Sequence, residues 1–322
     1  MGKVLVVTRK DDPHADLVIS ELGNLGVDVF RLNTEAITEY AIELGVDGGR
    51  IEHLAYPRTL DLSEVGSVYL RRRSYPYNLC VEGEYKEFAQ GEWVKLMRNI
   101  WAVLDERYWI NHPLAIEGAK DKLRQLQIAR REGFIIPDTV MSNSLDSVRQ
   151  LKARYEKIIY KAFDGGALYP GATQCVYATI LEDENLDDAQ RDSLGVCPGI
   201  FQNYHDKDYE IRVTVVGDVL FAAKIDSQAS DGTKIDWRKG DLLAAPHSQI
   251  KLEEECERRC IAVVRKLGLE FGAIDLIKKK DGTYVFLEIN ANGQWAWVQG
   301  MTGMLIAQGI ALALAQNMRT PS

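Results

Sequence analysis

Two apolar strands that carry polar oxygen-bearing side chains place the strongest constraint on how this chain folds. The segment FGAIDLIKKKDGTYVFLEIN (271–290) consists of two apolar runs separated by an Asp-Gly dipeptide at 281–282. That dipeptide is typical of a tight turn between antiparallel strands. Asp275 lies in the first run, and Glu288 and Asn290 lie in the second. Because side chains two residues apart share one face of a strand, the acid and the amide point the same way.

These three side chains are expected to converge and to hold a metal ion. Leu276 and Glu288 are about equally distant from the turn, so Asp275 is expected beside Glu288 and Asn290. A buried carboxylate is costly unless something compensates its charge. Three oxygen ligands suit Mg²⁺, which prefers one or two carboxylates together with water and substrate phosphates. The alternative is that backbone groups at the strand end satisfy Glu288 and Asn290.

Length and charge limit the class of protein. The chain has 322 residues and a mass of 36.3 kDa, which is enough for two or three lobes. Its net charge of -8 argues against a general nucleic-acid binder, so no nucleic-acid partner is expected.

The cysteines and the apolar segments indicate a cytoplasmic protein. The five cysteines are scattered and form no CxxC pair, which fits reduced thiols better than a disulfide framework or a zinc site. The apolar run at the N-terminus is too short for the core of a signal peptide. No stretch approaches the roughly 20 apolar residues of a membrane span, so no membrane partner is expected. The apolar segment MLIAQGIALALAQ near the end is interpreted as a buried helix.

The order of predicted elements gives an α/β chain whose later lobes are α+β. A strand at 3–8, a helix at 14–25 and a strand at 27–33 form an opening β-α-β unit. A long helix over 83–106 follows, and a Pro-containing turn near 114 is a plausible domain boundary. Three domains are predicted: an N-terminal domain (1–114), a central domain (115–198) and a C-terminal domain with an antiparallel sheet (199–322).

The two later domains are built from shorter predicted elements. The Gly-Asp dipeptide at 217–218 is a second strong signal for a β-hairpin. The predicted helices are 121–133, an acidic helix at 182–195, and 251–267, and the predicted strands are 157–163, 175–180, 199–205, 209–217 and 219–226. The first domain has one more predicted strand, at 67–72.

Two lysines add the features of a phosphate site. Lys161 ends an apolar strand just before DGG, which can form a small phosphate-facing loop. Lys122 opens a helix, where backbone N–H groups and the helix dipole favour anions. With Mg²⁺ and a nearby arginine, these lysines would neutralise a triphosphate. The alternative is that each lysine is a solvated surface charge. The chain has neither a GxxxxGK[ST] P-loop nor the protein-kinase motifs.

The segment GIFQNYHDKDYEIRVTVVG (199–217) supplies candidate contacts for the rest of a nucleotide. Gln202, Asn203 and Tyr204 lie at a strand end and offer backbone groups and an amide to an adenine edge. Glu210 is a candidate for a ribose hydroxyl, and Arg212 has the same strand parity, so both face one side of the sheet. The alternative is an edge strand with ordinary alternating charges.

At this point the order of motifs resembles the ATP-grasp superfamily over essentially the whole chain. Within it the chain looks closest to the graspetide maturases of the microviridin and plesiocin type. That closer resemblance rests on FQNYHDKDYEIRVTVVG, KIDWRKGD, GLEFGAIDL and FLEINANGQWAWVQ, and on RLNTE with the later YLRRRSYP.

The resemblance implies an ATP-grasp fold and a role for each candidate residue. It implies that ATP and Mg²⁺ are required and that Asp275, Glu288 and Asn290 bind the metal. For the nucleotide, it implies that Lys122 and Lys161 contact phosphates, that Gln202, Asn203 and Tyr204 hold adenine, and that Glu210 holds the ribose. The resemblance assigns the catalysis to Arg212 and Lys161. The chain departs from the family in two places. Asn203 stands where many relatives have Glu, and the Gly-rich phosphate loop is minimal.

The resemblance also implies a reaction and a peptide partner. Members activate a carboxylate as an acyl phosphate, which a hydroxyl or amine then attacks. The expected substrate is a precursor peptide with a leader and an acidic core, cyclised through Asp or Glu joined to Thr, Ser or Lys. Candidate substrate contacts are Arg71, Arg72, Arg73 and Arg238, and candidate docking surfaces for the leader are 182–195 and 219–245. A homodimer is suggested.

Two other functions stay open from the sequence. One is an intermolecular ATP-grasp ligase that joins two separate molecules, such as an amino-acid or glutamate ligase. The other is a non-catalytic nucleotide-binding module. The intact set of Asp275, Glu288 and Asn290 argues against the binding module, because a scaffold has no need of it.

Overall fold

The chain begins with a parallel four-stranded sheet, seen in a computed structural model that describes residues 2–74, 79–163, 176–229, 235 and 246–319. Its strands are β1 (Lys3–Thr8), β2 (Val29–Asn33), β6 (Val65–Leu70) and β7 (Tyr108–Ile110), in the order β2-β1-β6-β7. Helix α1 (Pro13–Asn24) crosses from β1 to β2. The predicted β-α-β opening is confirmed.

A small antiparallel meander and two helices complete this part of the chain. The meander consists of β3 (Tyr40–Gly45), β4 (Gly48–His53) and β5 (Arg58–Asp61), none of which was predicted. Helix α2 (Glu84–Val103) confirms the long helix, and α3 (Pro113–Ala119) forms where a Pro-containing turn was expected. Proline is compatible with the first helical position, where its missing N–H has no helical partner in any case.

The central sheet is antiparallel and has its own core. Its strands are β8 (Thr139–Ser142), β9 (Ile158–Lys161), β10 (Thr179–Leu181) and β11 (Gly199–Asn203), in the order β10-β9-β11-β8. Helix α4 (Lys122–Arg131) precedes it, and α5 (Leu145–Lys152) packs against it. The core consists of Leu145, Val148, Leu151, Ile158, Leu186 and Phe201.

The acidic segment that follows is not the continuous helix that was predicted. Two short 3-10 turns, Asp183–Leu186 and Asp188–Gln190, lead into α6 (Arg191–Val196). A reciprocal capping box between Glu182 and Asn185 closes the first turn, and Asp187 is extended. Short polar side chains bond nearby backbone groups in this way and so compete with helix.

The C-terminal sheet carries both predicted hairpins. Its strands are β12 (Tyr209–Val216), β13 (Val219–Ile225), β14 (His247–Gln249), β15 (Phe271–Lys278) and β16 (Tyr284–Asn290), in the antiparallel order β14-β13-β12-β15-β16. Both turns use glycine at positive φ, 56° at Gly217 and 87° at Gly282.

Helices cover both faces of this sheet. Helix α7 (Glu254–Lys266) packs with α4 on one face, in a core that includes Ile274, Leu276, Phe286 and Ile289. On the other face, α8 (Ala296–Thr302) and α9 (Ile306–Gln316) share a core with the N-terminal sheet and α1. The buried C-terminal helix is therefore confirmed. The division at 114 and 198 stays a prediction.

Two further observations concern the described part of the chain. No helix in it is both long enough and apolar enough to cross a membrane. Its four cysteines are thiols, with Cys80 and Cys197 exposed and Cys256 and Cys260 buried. Cys175 lies outside the described residues.

Candidate active site

A cleft of about 790 Å³ brings together most of the residues singled out from the sequence. Its walls come from α4, from the central sheet and from the C-terminal sheet. The predicted residues that line it are Lys122, Lys161, Gln202, Asn203, Tyr204, Glu210, Arg212, Asp275, Glu288 and Asn290. The structure places these residues around one cleft, and the roles assigned to them stay predictions.

The acidic pair at the centre of the cleft is set by an irregular register. Asp275 lies directly opposite Glu288, as expected, but Leu276 pairs with Phe286 and not with Glu288. The strands shift register between Asp275 and Leu276, so Leu287 is an extra residue in β16. Phe286 and Glu288 would share a face of a regular strand, whereas here Phe286 lies in the core and Glu288 lines the cleft.

Each carboxylate of the pair is compensated by a cation from another element. The ammonium of Lys122, at the start of α4, lies 2.7 Å from Oε2 of Glu288. The guanidinium of Arg212, on β12, lies 3.1 Å from Oδ1 of Asp275. Asp275 and Arg212 are both less than a tenth exposed. These two cations offset the free-energy cost of burying two carboxylates side by side.

The residues present fit a magnesium ion that also contacts phosphate. Two carboxylates and the amide of Asn290 converge, and Asn290 Nδ2 donates to Glu288 Oε1 at 3.4 Å. Within the described ranges no three His, Cys, Asp or Glu side chains form a metal cluster. A metal here would take two carboxylates, an amide oxygen and outside ligands, which is the pattern that Mg²⁺ prefers.

Residues 202–204 at the end of β11, called the hinge below, are hydrogen-bonded to the residues just before β8 and β9. Backbone N of Asn203 donates to the carbonyl of Asp138 at 3.2 Å, and Asn203 Oδ1 accepts from N of Asp138 at 2.7 Å. The amide of Asn203 therefore braces the hinge. The N–H of Tyr204 donates to the carbonyl of Lys157 at 2.9 Å.

Gln202 gives the hinge a buried acceptor. Its Nε2 donates to Oγ1 of Thr139 at 3.0 Å, and the residue is 3% exposed. Among the described residues nothing donates to its Oε1. A buried acceptor without a donor is costly, so an amino group from a ligand such as adenine fits this position.

His205 lies beside the hinge as a neutral ring. Burial lowers the pKa of His205, and the charges of Lys279 and Lys161 act in the same direction. Burial raises the pKa of Tyr204, as do the charges of Asp206 and Glu210. Both side chains are therefore uncharged at neutral pH, which suits a surface for an aromatic base.

Three lining or supporting residues were missed by sequence reasoning. Lys207 is ion-paired to Glu210, Trp297 lies beside Arg212 with 5.9 Å between guanidinium carbon and ring centre, and Gln125 bonds the backbone of Ile289. The one sequence signal was the lysine within HDKDYE, three residues before Glu210. Nothing local indicated the other two.

Three of the arginines proposed for substrate, Arg71, Arg72 and Arg73, are not among the residues that line the cleft. Arg71 is buried and donates to the carbonyl of Asn292 at 2.9 Å. Arg72 and Arg73 are exposed, and Arg73 lies 3.8 Å from Glu117. Arg238 and the DGGALYPG loop after Phe163 fall outside the described residues. A role for these arginines in binding substrate stays a prediction.

Comparisons with known proteins match the chain in two blocks. Residues 3–117 match the family model described as MvdD pre-ATP grasp domain, and residues 119–314 match the RimK-like ATP-grasp domain. A probable alpha-L-glutamate ligase of Enterobacter sp. (strain 638) is 30% identical over 221 residues, 66% of this chain and 69% of the relative.

Solved structures match over nearly the full length. The macrocyclase MdnC from Microcystis aeruginosa MRC, bound with precursor peptide MdnA, has a TM-score of 0.85 and 30% identity, covering 98% of this chain and 99% of its own. A RiPP-associated ATP-grasp ligase of Chryseobacterium gregarium, in complex with ADP and a leader and core peptide, has a TM-score of 0.87 and 25% identity, covering both chains fully.

Proposed function

We propose that this protein, which belongs to the RimK-like ATP-grasp family, macrocyclises a ribosomally made precursor peptide. The family match over residues 119–314 makes the chain an ATP-grasp ligase and confirms the fold expected from the sequence. What carries the proposal of cyclisation is the full-length match to the macrocyclase MdnC, with a TM-score of 0.85 and 30% identity over 98% of the chain. The match of residues 3–117 to the MvdD pre-ATP grasp domain supports it.

The nucleotide end of the cleft binds ATP. Gln202 Oε1 accepts from the adenine amino group, and Tyr204 and His205 form uncharged walls around the base. Glu210 accepts ribose hydroxyls, and Lys122 and Lys161 bind phosphates. Asp275, Glu288 and Asn290 hold Mg²⁺, which when bound neutralises charge on the phosphate oxygens.

The reaction joins two side chains of one peptide in two steps. A peptide carboxylate is a poor electrophile, because its leaving group would be oxide. Transfer of the γ-phosphoryl group of ATP gives an acyl phosphate and ADP, with Arg212 stabilising the charge that develops. A Thr or Ser hydroxyl, or a Lys amine, then attacks the carbonyl carbon. Phosphate leaves and the nucleophile loses its proton, so each ester or amide removes one water from the peptide.

Peptide recognition lies outside the nucleotide end. Arg72 and Arg73 are exposed cations suited to an acidic core. The segment 182–195 is the acidic surface proposed for the leader, and its Asp183, Glu184 and Asp192 are exposed.

A second copy of the chain is proposed to pack on α2. Tyr85 and Phe88 are 71% and 69% exposed at helical spacing, and Gly91 has nothing within 4 Å of the Cβ position. The first half of α2 is rich in Glu, and the second half carries Lys95 and Arg98. In two antiparallel copies centred on Gly91, Glu84 of one copy would lie near Arg98 of the other, as in a two-fold interface.

Intact mass of the precursor peptide tests the reaction. The probe is a precursor peptide with a leader and an acidic core that carries Asp or Glu with Thr, Ser or Lys, incubated with the protein, ATP and Mg²⁺. We expect a loss of one water for each ring. Asp275→Asn removes a carboxylate from the metal set and should slow this loss by about 100-fold or more. Asp281→Asn, in the exposed turn of the same hairpin, is the matched control and should keep the rate.

One alternative has an observation in its favour. The 30% identity to a probable alpha-L-glutamate ligase supports a ligase that joins two separate molecules. That ligase would leave the peptide mass unchanged and would consume ATP when free glutamate is supplied. Such a result would contradict cyclisation while keeping the ATP-grasp chemistry.

A further inference from the structure

A buried ion pair forms part of the cleft wall at the nucleotide end. Lys207 lies in the turn before β12, and Glu210 is the second residue of that strand. The ammonium of Lys207 lies 2.5 Å from Oε1 of Glu210. The two side chains are 3% and 7% exposed, and both residues line the cleft.

The lysine is held from a second side by the backbone. Its Nζ donates to the carbonyl of Ile235 at 3.1 Å, and Ile235 also lines the cleft. The turn itself is fixed on the sheet, because N of Asp208 donates to the carbonyl of Lys278 at 2.8 Å and Tyr209 pairs with Lys278. The ammonium therefore has a defined position relative to the carboxylate.

Stability alone is a weak reason for this pair. A buried ion pair loses much of its attraction to desolvation, and apolar residues of similar volume often serve the fold as well. What the pair supplies is an ionised carboxylate in one orientation at a ligand-facing wall. A carboxylate has about four acceptor positions, so a carboxylate that is ion-paired to a lysine is chemically able to accept from hydroxyl groups as well.

We propose that Lys207 is a positioning residue that fixes Glu210 as an acceptor for the ribose hydroxyls and so selects ribonucleotides over deoxyribonucleotides. The inference rests on the proposed function, because it takes the nucleotide to bind in this cleft. Lys207 itself acts through Glu210. Without the lysine, the carboxylate loses a charged group that orients it, and the ribose 2′-hydroxyl is bound less tightly.

Direct binding of two product nucleotides tests this role. The probes are ADP and 2′-deoxyADP with Mg²⁺, measured by calorimetry on the full chain, since neither can react. We expect the parent protein to bind ADP about tenfold more tightly, the effect of one hydrogen bond to a charged group. In Lys207→Met, ADP affinity should fall to that of 2′-deoxyADP, so that the ratio approaches one.

A matched lysine provides the control. Lys224 lies on β13 with its ammonium 4.6 Å from the ring centre of Tyr209 and is not among the residues that line the cleft. Lys224→Met should keep the tenfold ratio. If Lys207→Met does not fold, Lys207→Gln removes the charge while keeping a donor. It should still lower the preference for ADP over 2′-deoxyADP to less than half of the parent value. Lys207→Arg keeps the charge and should restore most of it.

The outcomes separate the inference from the function beneath it. Equal weakening of both nucleotides with an unchanged ratio would mean that Lys207 only supports the fold, and the inference would be wrong. A parent protein that binds both nucleotides equally would also overturn it, while leaving the proposed function standing. A parent protein that binds neither nucleotide would overturn both.

Discussion

At the scale of single residues, Asp12 is a buried acid whose charge is stabilised locally. It caps α1, where Oδ1 accepts from N of His14 at 3.1 Å, and Oδ2 accepts from Oγ1 of Thr8 at 2.7 Å. Burial alone would raise the pKa of Asp12. The hydrogen bonds from His14 and Thr8 and the charge of Arg71 outweigh it and hold the pKa well below the ordinary range of an aspartate.

Replacing this acid should cost stability in a pH-dependent way. Asp12→Asn is expected to lower the free energy of unfolding by about 2 kcal/mol at pH 7, because charged hydrogen bonds and a helix cap are weakened. A lowered pKa in the folded state means that the contribution is complete above about pH 4, the ordinary pKa, and is lost as the pH falls towards the folded value. Urea unfolding of both proteins at pH 7, 5 and 3 should show the difference shrinking at pH 3.

The neighbouring acid is the control for that experiment. Asp11 is exposed and meets only the surface charge of Arg9 among the ion pairs of the described residues. Asp11→Asn should change the free energy of unfolding by less than about 0.5 kcal/mol at any of these pH values. A difference for Asp12→Asn that grows as the pH falls would contradict the stabilised charge.

At the scale of elements, Gln125 joins α4 to the strand that carries the acid and the amide. It is 1% exposed. Its Nε2 donates to the carbonyls of Ala119 and Ile289 at 2.6 and 2.9 Å, and its Oε1 accepts from N of Ile289 at 3.1 Å. Ile289 lies between Glu288 and Asn290. One amide therefore positions β16 relative to the helix that begins with Lys122.

Loss of this amide should weaken both the fold and the site. Gln125→Leu is similar in size but leaves three buried backbone groups without a partner, which should cost about 3 kcal/mol. ATP turnover should also fall, because β16 is no longer fixed against α4. Gln127→Leu, on the exposed side of the same helix, should leave both the melting temperature and turnover near the parent values. An unchanged melting temperature in Gln125→Leu would exclude this bridging role.

Elements with local signals could be predicted from the sequence, and those that depend on distant contacts could not. The Gly-Asp and Asp-Gly turns and the apolar runs beside them fixed both hairpins. Phe286 and Leu287 are both apolar, so nothing local indicated which is the extra residue of the bulge. The partner that explains Gln125 lies 164 positions away. The prediction of one continuous helix at 182–195 was wrong, because the pattern of charges does not show that Asp187 adopts an extended backbone conformation.

At the scale of the whole molecule, the N-terminal sheet does not stand alone. Val4, Val6 and Val18 share one apolar cluster with Ile306 and Ile310 of α9. Asn111, at the end of β7, donates to the carbonyls of Phe271 and Ala291 at 2.8 Å each. The N-terminal part and the C-terminal sheet should therefore unfold together.

The proposed dimer belongs to the same scale. Light scattering coupled to size exclusion should give twice the 36.3 kDa of one chain. Phe88→Glu places a charge on the exposed apolar face of α2 and should shift the protein to a monomer. Its melting temperature should equal that of the parent protein when both are measured at a concentration where the parent dimer has dissociated. Lys10→Glu, an exposed change elsewhere on the N-terminal part, should not shift the protein to a monomer. A monomeric parent protein at 100-fold the assay concentration would remove the dimer.

The separate core of the central sheet determines how this protein can be recombined with its relatives. A crossover that exchanges residues 139–203 as one block keeps Leu145, Ile158 and Phe201 with the side chains of their own parent. A crossover near residue 112 instead divides the cluster shared by α1 and α9 between two parents. Chimeras should therefore tolerate a foreign central block, whereas the two ends of the chain must be inherited together.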